Sequence, residues 1–413
     1  MPAPVHLHLP FLFAVALAGV ASLVGQWLVR SIAILRRAYV PEPLLGGLLV
    51  ALVFLLLRKS QIAIVDLPTQ GAEVDFLVGL LTANMGLHIT PRILRHGYKL
   101  FFIFLGAGLG LAILQFIVVL PVATMGAHPV YTAILAGPLS FVGAPFNLNP
   151  PSQTGPIAHL FQLTYPHLKE TAQGVMMVGV LCSIFGANLV SRRMFQVAEK
   201  QPPKPAPSET QARLSLSTFA TEFTCLIVLI FVLVSVAFGI QWLLLNKVSW
   251  LQDDYVPVIV LAFLLGAACR LLFSVAVDKS KFPEKALTVL LLGPTMNLVL
   301  SYAIMSVPLH YLWLLTPQLL AGALLAIGCS VAVSWLAYGV FTRFTNRYYA
   351  AVIATAFLVV TTGWGPMAMS FLRRFMNEEG PVEPMPVIMP LNAFFLFPWM
   401  VILLTTVLLH LFG

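Results

Sequence analysis

The chain has 413 residues, of which 59% are hydrophobic and 9% charged, and its mean hydropathy is +0.94. So much apolar surface excludes a soluble globular domain and describes a polytopic membrane protein. The net charge of +8 does not describe a nucleic-acid face, because the basic residues fall in short segments between apolar runs.

A helix needs about 20 apolar residues to cross a bilayer. On that scale, spans fall near 11–29, 39–57, 73–89, 100–124 and 172–191 in the first half of the chain. The second half gives 217–245, 255–273, 286–306, 311–339 and 386–412. The N-terminus lacks the basic start of a signal peptide, so its apolar run reads as a retained first helix. Between the halves lies Lys200-Gln-Pro-Pro-Lys-Pro-Ala-Pro-Ser-Glu-Thr, a proline-rich polar linker. The cysteines Cys182, Cys225, Cys269 and Cys329 sit in apolar stretches without a C-x-x-C pair, which argues against disulfides and zinc. Trp27, Trp242, Trp250 and Trp313 lie near span ends, where amphipathic rings anchor at the interface. Gly46-Gly47 and the run Gly106-x-Gly-x-Gly110 invite close helix packing.

The chain also repeats itself. Tyr39-Val40-Pro41 opens one apolar run, and Tyr255-Val256-Pro257 opens another 216 residues on. Tyr131-Thr-Ala-Ile-Leu-Ala136 is echoed 218 residues on by Tyr349-Ala-Ala-Val-Ile-Ala354. Five crossings per half is an odd number, so the second half enters from the opposite side and the repeat is inverted. With the linker placed in the cytoplasm, all of the 23 basic residues except Arg58, Lys59, Lys169 and Lys247 fall inside. That follows the positive-inside rule and puts both termini outside.

Two apolar segments, near 130–161 and 348–372, begin as helix and then break at Pro- and Gly-rich sequence. Broken backbone at membrane depth is tolerated only where protein buries it or where it lines a wet cavity. Both read as re-entrant hairpins. The first supplies Ser140, Asn147, Asn149, Ser152, Gln153, Thr154 and Gly155; the second supplies Thr361, Thr362, Gly363 and Gly365. These offer the donors an anion needs and the oxygens a cation needs. Asn84, Glu222, Asn297 and Asn392 are further candidates for the coupling ion, Glu222 because a carboxylate within a span is functional by default. Helix–helix hydrogen bonding is the competing role for every Ser, Thr and Asn among them. Arg270 lies near the end of its span, which leaves no arginine evident at membrane depth to meet a carboxylate. His159 with Ser152 lacks the third orienting group of a hydrolytic triad, so an enzyme is not expected. No P-loop is visible, which points to an ion gradient as the energy source.

The segment Tyr39-Val-Pro-Glu-Pro-Leu-Leu-Gly-Gly-Leu-Leu-Val-Ala51, with its Arg58-Lys59 end, resembles the second helix of bacterial sodium/glutamate symporters. Tyr348 to Ala354, Gly363, Pro366, Gly380-Pro381 and Pro390 fall in that family's register, and Glu222 is similar to its glutamate in the sixth helix. Thr154-Gly155 and Leu160-Phe161 resemble the end of its first hairpin. The family's compact glycine-rich hairpin motifs are replaced here by Gly143-Ala-Pro-Phe-Asn-Leu-Asn-Pro-Pro-Ser-Gln-Thr-Gly155 and Ala356-Phe-Leu-Val-Val-Thr-Thr-Gly-Trp-Gly-Pro366. Phe397-Pro398 stands where the family has an acidic residue in the last helix. The resemblance implies a divergent member of the family. It implies two inverted five-helix halves with two re-entrant hairpins, and sodium-coupled symport of glutamate or a similar anionic amino acid by alternating access.

The expectation is therefore an all-α polytopic membrane protein of about ten transmembrane helices. Residues 1–191 form the first repeat, 192–216 a cytoplasmic linker and 217–413 the second repeat. Sodium is the expected coupling ion, with no organic cofactor. A small anionic substrate and the lipid of an inner (plasma) membrane are the expected partners, nucleic acid is not, and a homodimer is left open. Transport of another organic anion with protons as coupling ion, or a non-transporting interaction or sensory role, stays open beside the first reading.

Overall fold

The computed structural model describes residues 4–69, 71–141, 168–197, 216–247, 258–276, 291–343, 347–362, 365–379, 392 and 397–412. In chain order these give β1 (Val5–His8), α1 (Phe11–Ser31), α2 (Ala33–Arg37), α3 (Glu42–Lys59), β2 (Ala63–Asp66), α4 (Ala72–Leu87), α5 (Pro91–Ala123), α6 (Pro129–Ala136) and α7 (Pro138–Phe141). There follow α8 (Leu168–Val197), α9 (Leu216–Lys247), α10 (Val258–Ala276), α11 (Gly293–Ser306) and a 3-10 helix (Leu309–Leu314). The last elements are α12 (Pro317–Phe341), α13 (Arg347–Thr362), α14 (Gly365–Glu379) and α15 (Phe397–Phe412). Among the described residues, five helices are long and apolar enough to span: Phe11–Ser31, Tyr98–Ala123, Glu170–Met194, Phe223–Leu244 and Pro317–Phe341. Shorter apolar helices accompany them, as an all-α polytopic membrane protein requires.

Three boundaries differ from the sequence reading. The span expected over 311–339 is two elements, because Thr316 caps the true helix with its hydroxyl accepting from the Leu319 amide at 3.3 Å, and Pro317 opens it. α8 runs on to Val197, so Arg192 to Val197 are helix where linker was expected. β1 and β2 were not anticipated; they pair in parallel, His8 opposite Asp66.

The chain clusters into two compact units, each drawing on both halves of the sequence. One comprises Met1–Trp27, Glu42–Tyr98 and Pro203–Ser306. In it α3 packs on α11, α4 packs on α10, and α9 lies against both α4 and α10. Glycines set these crossings. A Cβ on Gly46 would collide with the Ala21 carbonyl, one on Gly25 with the Glu42 carbonyl, and one on Gly86 with the Phe263 carbonyl. Backbone thus meets backbone, as small residues permit in membrane helices. The pattern also relates the two halves. Gly47 lies against Ile304, and Gly86 lies against Phe263. Phe263 is 216 residues beyond Gly47 and Ile304 is 218 beyond Gly86, so these two contacts exchange under the same offsets that relate the sequence repeats.

The other unit comprises Leu28–Pro41, Lys99–Pro202 and Val307–Gly413. Here α8 packs on α12, α13, α7 and the 3-10 helix, and α12 packs on α13 and α6. Polar bonds tie this unit together. Gln115 Nε2 on α5 donates to Ser330 Oγ on α12 at 2.8 Å, and Ser334 Oγ on α12 donates to the Ala354 carbonyl on α13 at 2.5 Å. Such bonds contribute about 0.6–1.7 kcal/mol between membrane helices. Of the Gly106, Gly108, Gly110 run, Gly108 abuts Phe397 while the other two meet nothing within 4 Å. A two-residue spacing cannot put all three on one helix face.

Candidate substrate and ion site

The second unit holds both interrupted segments. The first is helical from Pro129, breaks at Gly137, and resumes for one turn through Phe141. Across that break Ser140 Oγ donates to the Leu135 carbonyl at 2.6 Å. The second segment is helical through Thr362 as α13 and again from Gly365 as α14. The first break was legible in the sequence; residues 363 and 364, where the second is expected, lie outside the described residues.

The two segments meet on α8. Gly179 is the meeting point: a Cβ there would lie 2.5 Å from Phe141 Cδ1 and 3.2 Å from the Thr362 carbonyl oxygen. α7 and α13 also touch directly. One turn along α8, Ser183 Oγ faces Met367 Sδ of α14 at 3.8 Å and donates to the Val180 carbonyl at 3.0 Å. α8 therefore contacts the first segment and both α13 and α14 of the second. Gly179 and Ser183 are absent from the sequence-derived set. Their only sequence signal is the run of small residues Gly179, Cys182, Ser183 and Gly186 on an apolar helix, which packing alone would also explain.

The hydroxyls at this junction are buried and oriented. Thr361 Oγ1 donates to the Phe357 carbonyl at 2.8 Å, and Thr362 Oγ1 to the Leu358 carbonyl at 2.6 Å. Ser140, Ser183, Thr361 and Thr362 are all at most 3% exposed. A hydroxyl that commits its proton to the preceding helical turn keeps its lone pairs, so it presents an acceptor to whatever lies beyond. Such oxygens suit a hard cation. α14 starts at Gly365 directly after residues 363 and 364, which lie outside the described residues.

The remaining expected residues divide. Asn147, Asn149, Ser152, Gln153, Thr154, Gly155 and Gly363 lie outside the described residues. Asn392 is buried in the second unit. Asn84 and Asn297 belong to the first unit, on α4 and α11. Glu222 falls on α9 of that unit, and its side chain is outside the described set. The Asn84 side chain is fully buried, and neither of its polar atoms has a hydrogen-bond partner; its backbone carbonyl accepts from His88 Nδ1 at 2.8 Å. Arg270, read from the sequence as lying at a span end, is 7% exposed on α10 of the first unit. An open groove of about 620 Å³ along α9, lined by Ile227, Phe231 and Val232 with Ser235 as its one polar member, has none of this chemistry. It is a lipid-facing surface between side chains of a single helix.

Comparison with known proteins identifies the family. The model of the sodium/glutamate symporter family matches residues 7–381. A sodium/glutamate symporter of Escherichia coli (strain K12) is 32% identical over 143 residues, which is 33% of this chain and 33% of that relative. One of Shigella flexneri matches to the same extent. The aligned stretch thus spans about a third of the length of these curated relatives. The family match covers most of the chain, and the chain belongs to the sodium/glutamate symporter family.

Proposed function

We propose that this protein is a secondary active transporter that carries L-glutamate, or a similar anionic amino acid, together with sodium by alternating access. The observation that carries the reading is the meeting on Gly179 of the two segments read as hairpins, in a family named for this transport. Transporters of this design bind cargo and ion where helices are interrupted near the midplane. The buried hydroxyl oxygens of Ser140, Thr361 and Thr362 suit sodium, and an interruption at 363–364 would free the amides at the start of α14 for a carboxylate.

Residues 1–191 and 217–413 then act as inverted repeats joined by the linker, with both termini periplasmic. The exchange of the Gly47–Ile304 and Gly86–Phe263 contacts is what two related halves produce. The protein works in the plasma membrane without an organic cofactor. Asn147, Asn149, Ser152, Thr154, Gly155 and Gly363 extend the binding junction, and Asn392, Asn84, Asn297 and Glu222 are the coupling candidates.

Proteoliposomes given a sodium gradient and a panel of amino acids and dicarboxylates test the reading. Glutamate uptake that collapses when sodium is equal on both sides is the expected result. Uptake driven only by a proton gradient, or of dicarboxylates without an amino group, would favour the second reading. That reading has its own support in the hairpin sequences, where Asn and Pro replace the family's compact glycines.

A further inference from the structure

Five of the 23 basic residues of this protein gather at one place in the second unit. α2 is a five-residue helix, Ala-Ile-Leu-Arg-Arg, that leaves the end of α1. Arg192 Nη2, at the end of the apolar part of α8, donates to the Arg37 carbonyl at 2.7 Å. This bond brings two basic segments together: Arg30, Arg36 and Arg37 from one, Arg192 and Arg193 from the other. All five are exposed, and none makes an ion pair among the described residues. Like charges gathered in this way repel unless an anion answers them.

We infer that this cluster is a binding site for the phosphodiester headgroup of an anionic phospholipid. Three features select that ligand. The cluster sits where the apolar runs of α1 and α8 end, at the level of lipid headgroups. Ile34 stands among the arginines 77% exposed, an apolar side chain suited to the acyl boundary beneath a headgroup. Every one of the five charges is a guanidinium rather than an ammonium, and its planar fork matches two phosphate oxygens at once. Arg192 is already oriented by the Arg37 carbonyl, so less freedom is lost when a phosphate arrives.

Binding of phosphatidylglycerol and of phosphatidylcholine to the full-length protein in mixed micelles tests the inference. Arg36→Gln with Arg37→Gln is compared with the charge-matched pair Arg58→Gln with Lys59→Gln. The first pair weakens phosphatidylglycerol binding about 25-fold, as loss of two interfacial charges predicts, while the second changes it less than about twofold. Arg193→Gln alone, which leaves the Arg192 bond to Arg37 in place, weakens binding about fivefold and carries the test if the double variant fails to fold. Equal losses in both pairs would reveal a diffuse charge effect and overturn the site. So would equal affinity for the two lipids, or displacement of phosphatidylglycerol by equimolar inorganic phosphate.

Discussion

The two units differ in the crossings that dominate their packing. In the first, glycines bring backbone against backbone: Gly46 on Ala21, Gly25 on Glu42, Gly86 on Phe263. In the second, helices are interrupted, and the crossings carry hydroxyls and an amide: Ser140, Thr361, Thr362, Ser183 and the Gln115–Ser330 bond. Close backbone packing resists change, because neither side of the contact can yield. Interrupted helices leave main-chain groups that need partners, and an ion and an anion can serve as those partners. On the proposed reading, the second unit carries the junction of the two hairpin segments and the first supplies tightly packed support and further coupling candidates.

The largest effect should come from filling a backbone crossing. Gly46→Leu drives a side chain into the Ala21 carbonyl and should abolish the folded, monodisperse protein in size-exclusion chromatography. Gly106→Leu meets nothing within 4 Å and should elute as the parent does. Identical behaviour of the two would break the contrast at its structural end. Next is Gly179→Val, which overpacks the junction against the Phe141 ring. A penalty of about 1–3 kcal/mol there should lower sodium-driven uptake at least about fivefold in protein that still inserts and melts cooperatively. Unchanged uptake would move the site elsewhere.

Thr362→Val keeps shape and removes an oxygen. Loss of one ligand worth about 1 kcal/mol should raise the sodium concentration for half-maximal uptake about fivefold, with the maximal rate little altered. An altered rate at constant sodium dependence would instead make Thr362 a helix-bonding residue. The smallest effect is expected at Asn84, whose buried amide has no partner in the first unit. Asn84→Leu removes an unsatisfied group, and about 1–3 kcal/mol of stabilisation should appear as a higher melting temperature, while its loss as a coupling candidate should raise the sodium concentration for half-maximal uptake by no more than about twofold. A lower melting temperature would show that the amide is satisfied.

The sequence discloses this division unevenly. Hydropathy places most helices, because an apolar run of fixed length is a local property. The break after Ala136 is visible for the same reason, since Gly and Pro act on their own backbone. Gly179 is not visible: its importance comes from Phe141 and Thr362, which are distant in sequence and adjacent only after packing. Nor is the assignment of Leu28–Pro41 to the second unit, since the bonds from Arg192 to Arg37 and from Arg374 Nη1 to the Val40 carbonyl at 2.8 Å are non-local. The strand pair Val5–His8 and Ala63–Asp66 is hidden because each strand is four residues long, too short for periodicity to register. At Asn84 the residue type is visible, while the burial that leaves its amide without a hydrogen-bond partner among the described residues is not.

The claim on which all of this depends is that the two interrupted segments come together and that cargo passes where they do. Sodium-driven glutamate uptake by proteoliposomes of the Phe141→Cys, Thr362→Cys pair, measured before and after oxidation to a disulfide, tests it most directly. The account predicts that oxidation joins the two cysteines and arrests uptake, that a reductant restores it, and that the parent protein with its four native thiols is unaffected. Cysteines that fail to join, or a joined pair that transports at the parent's rate, would contradict it.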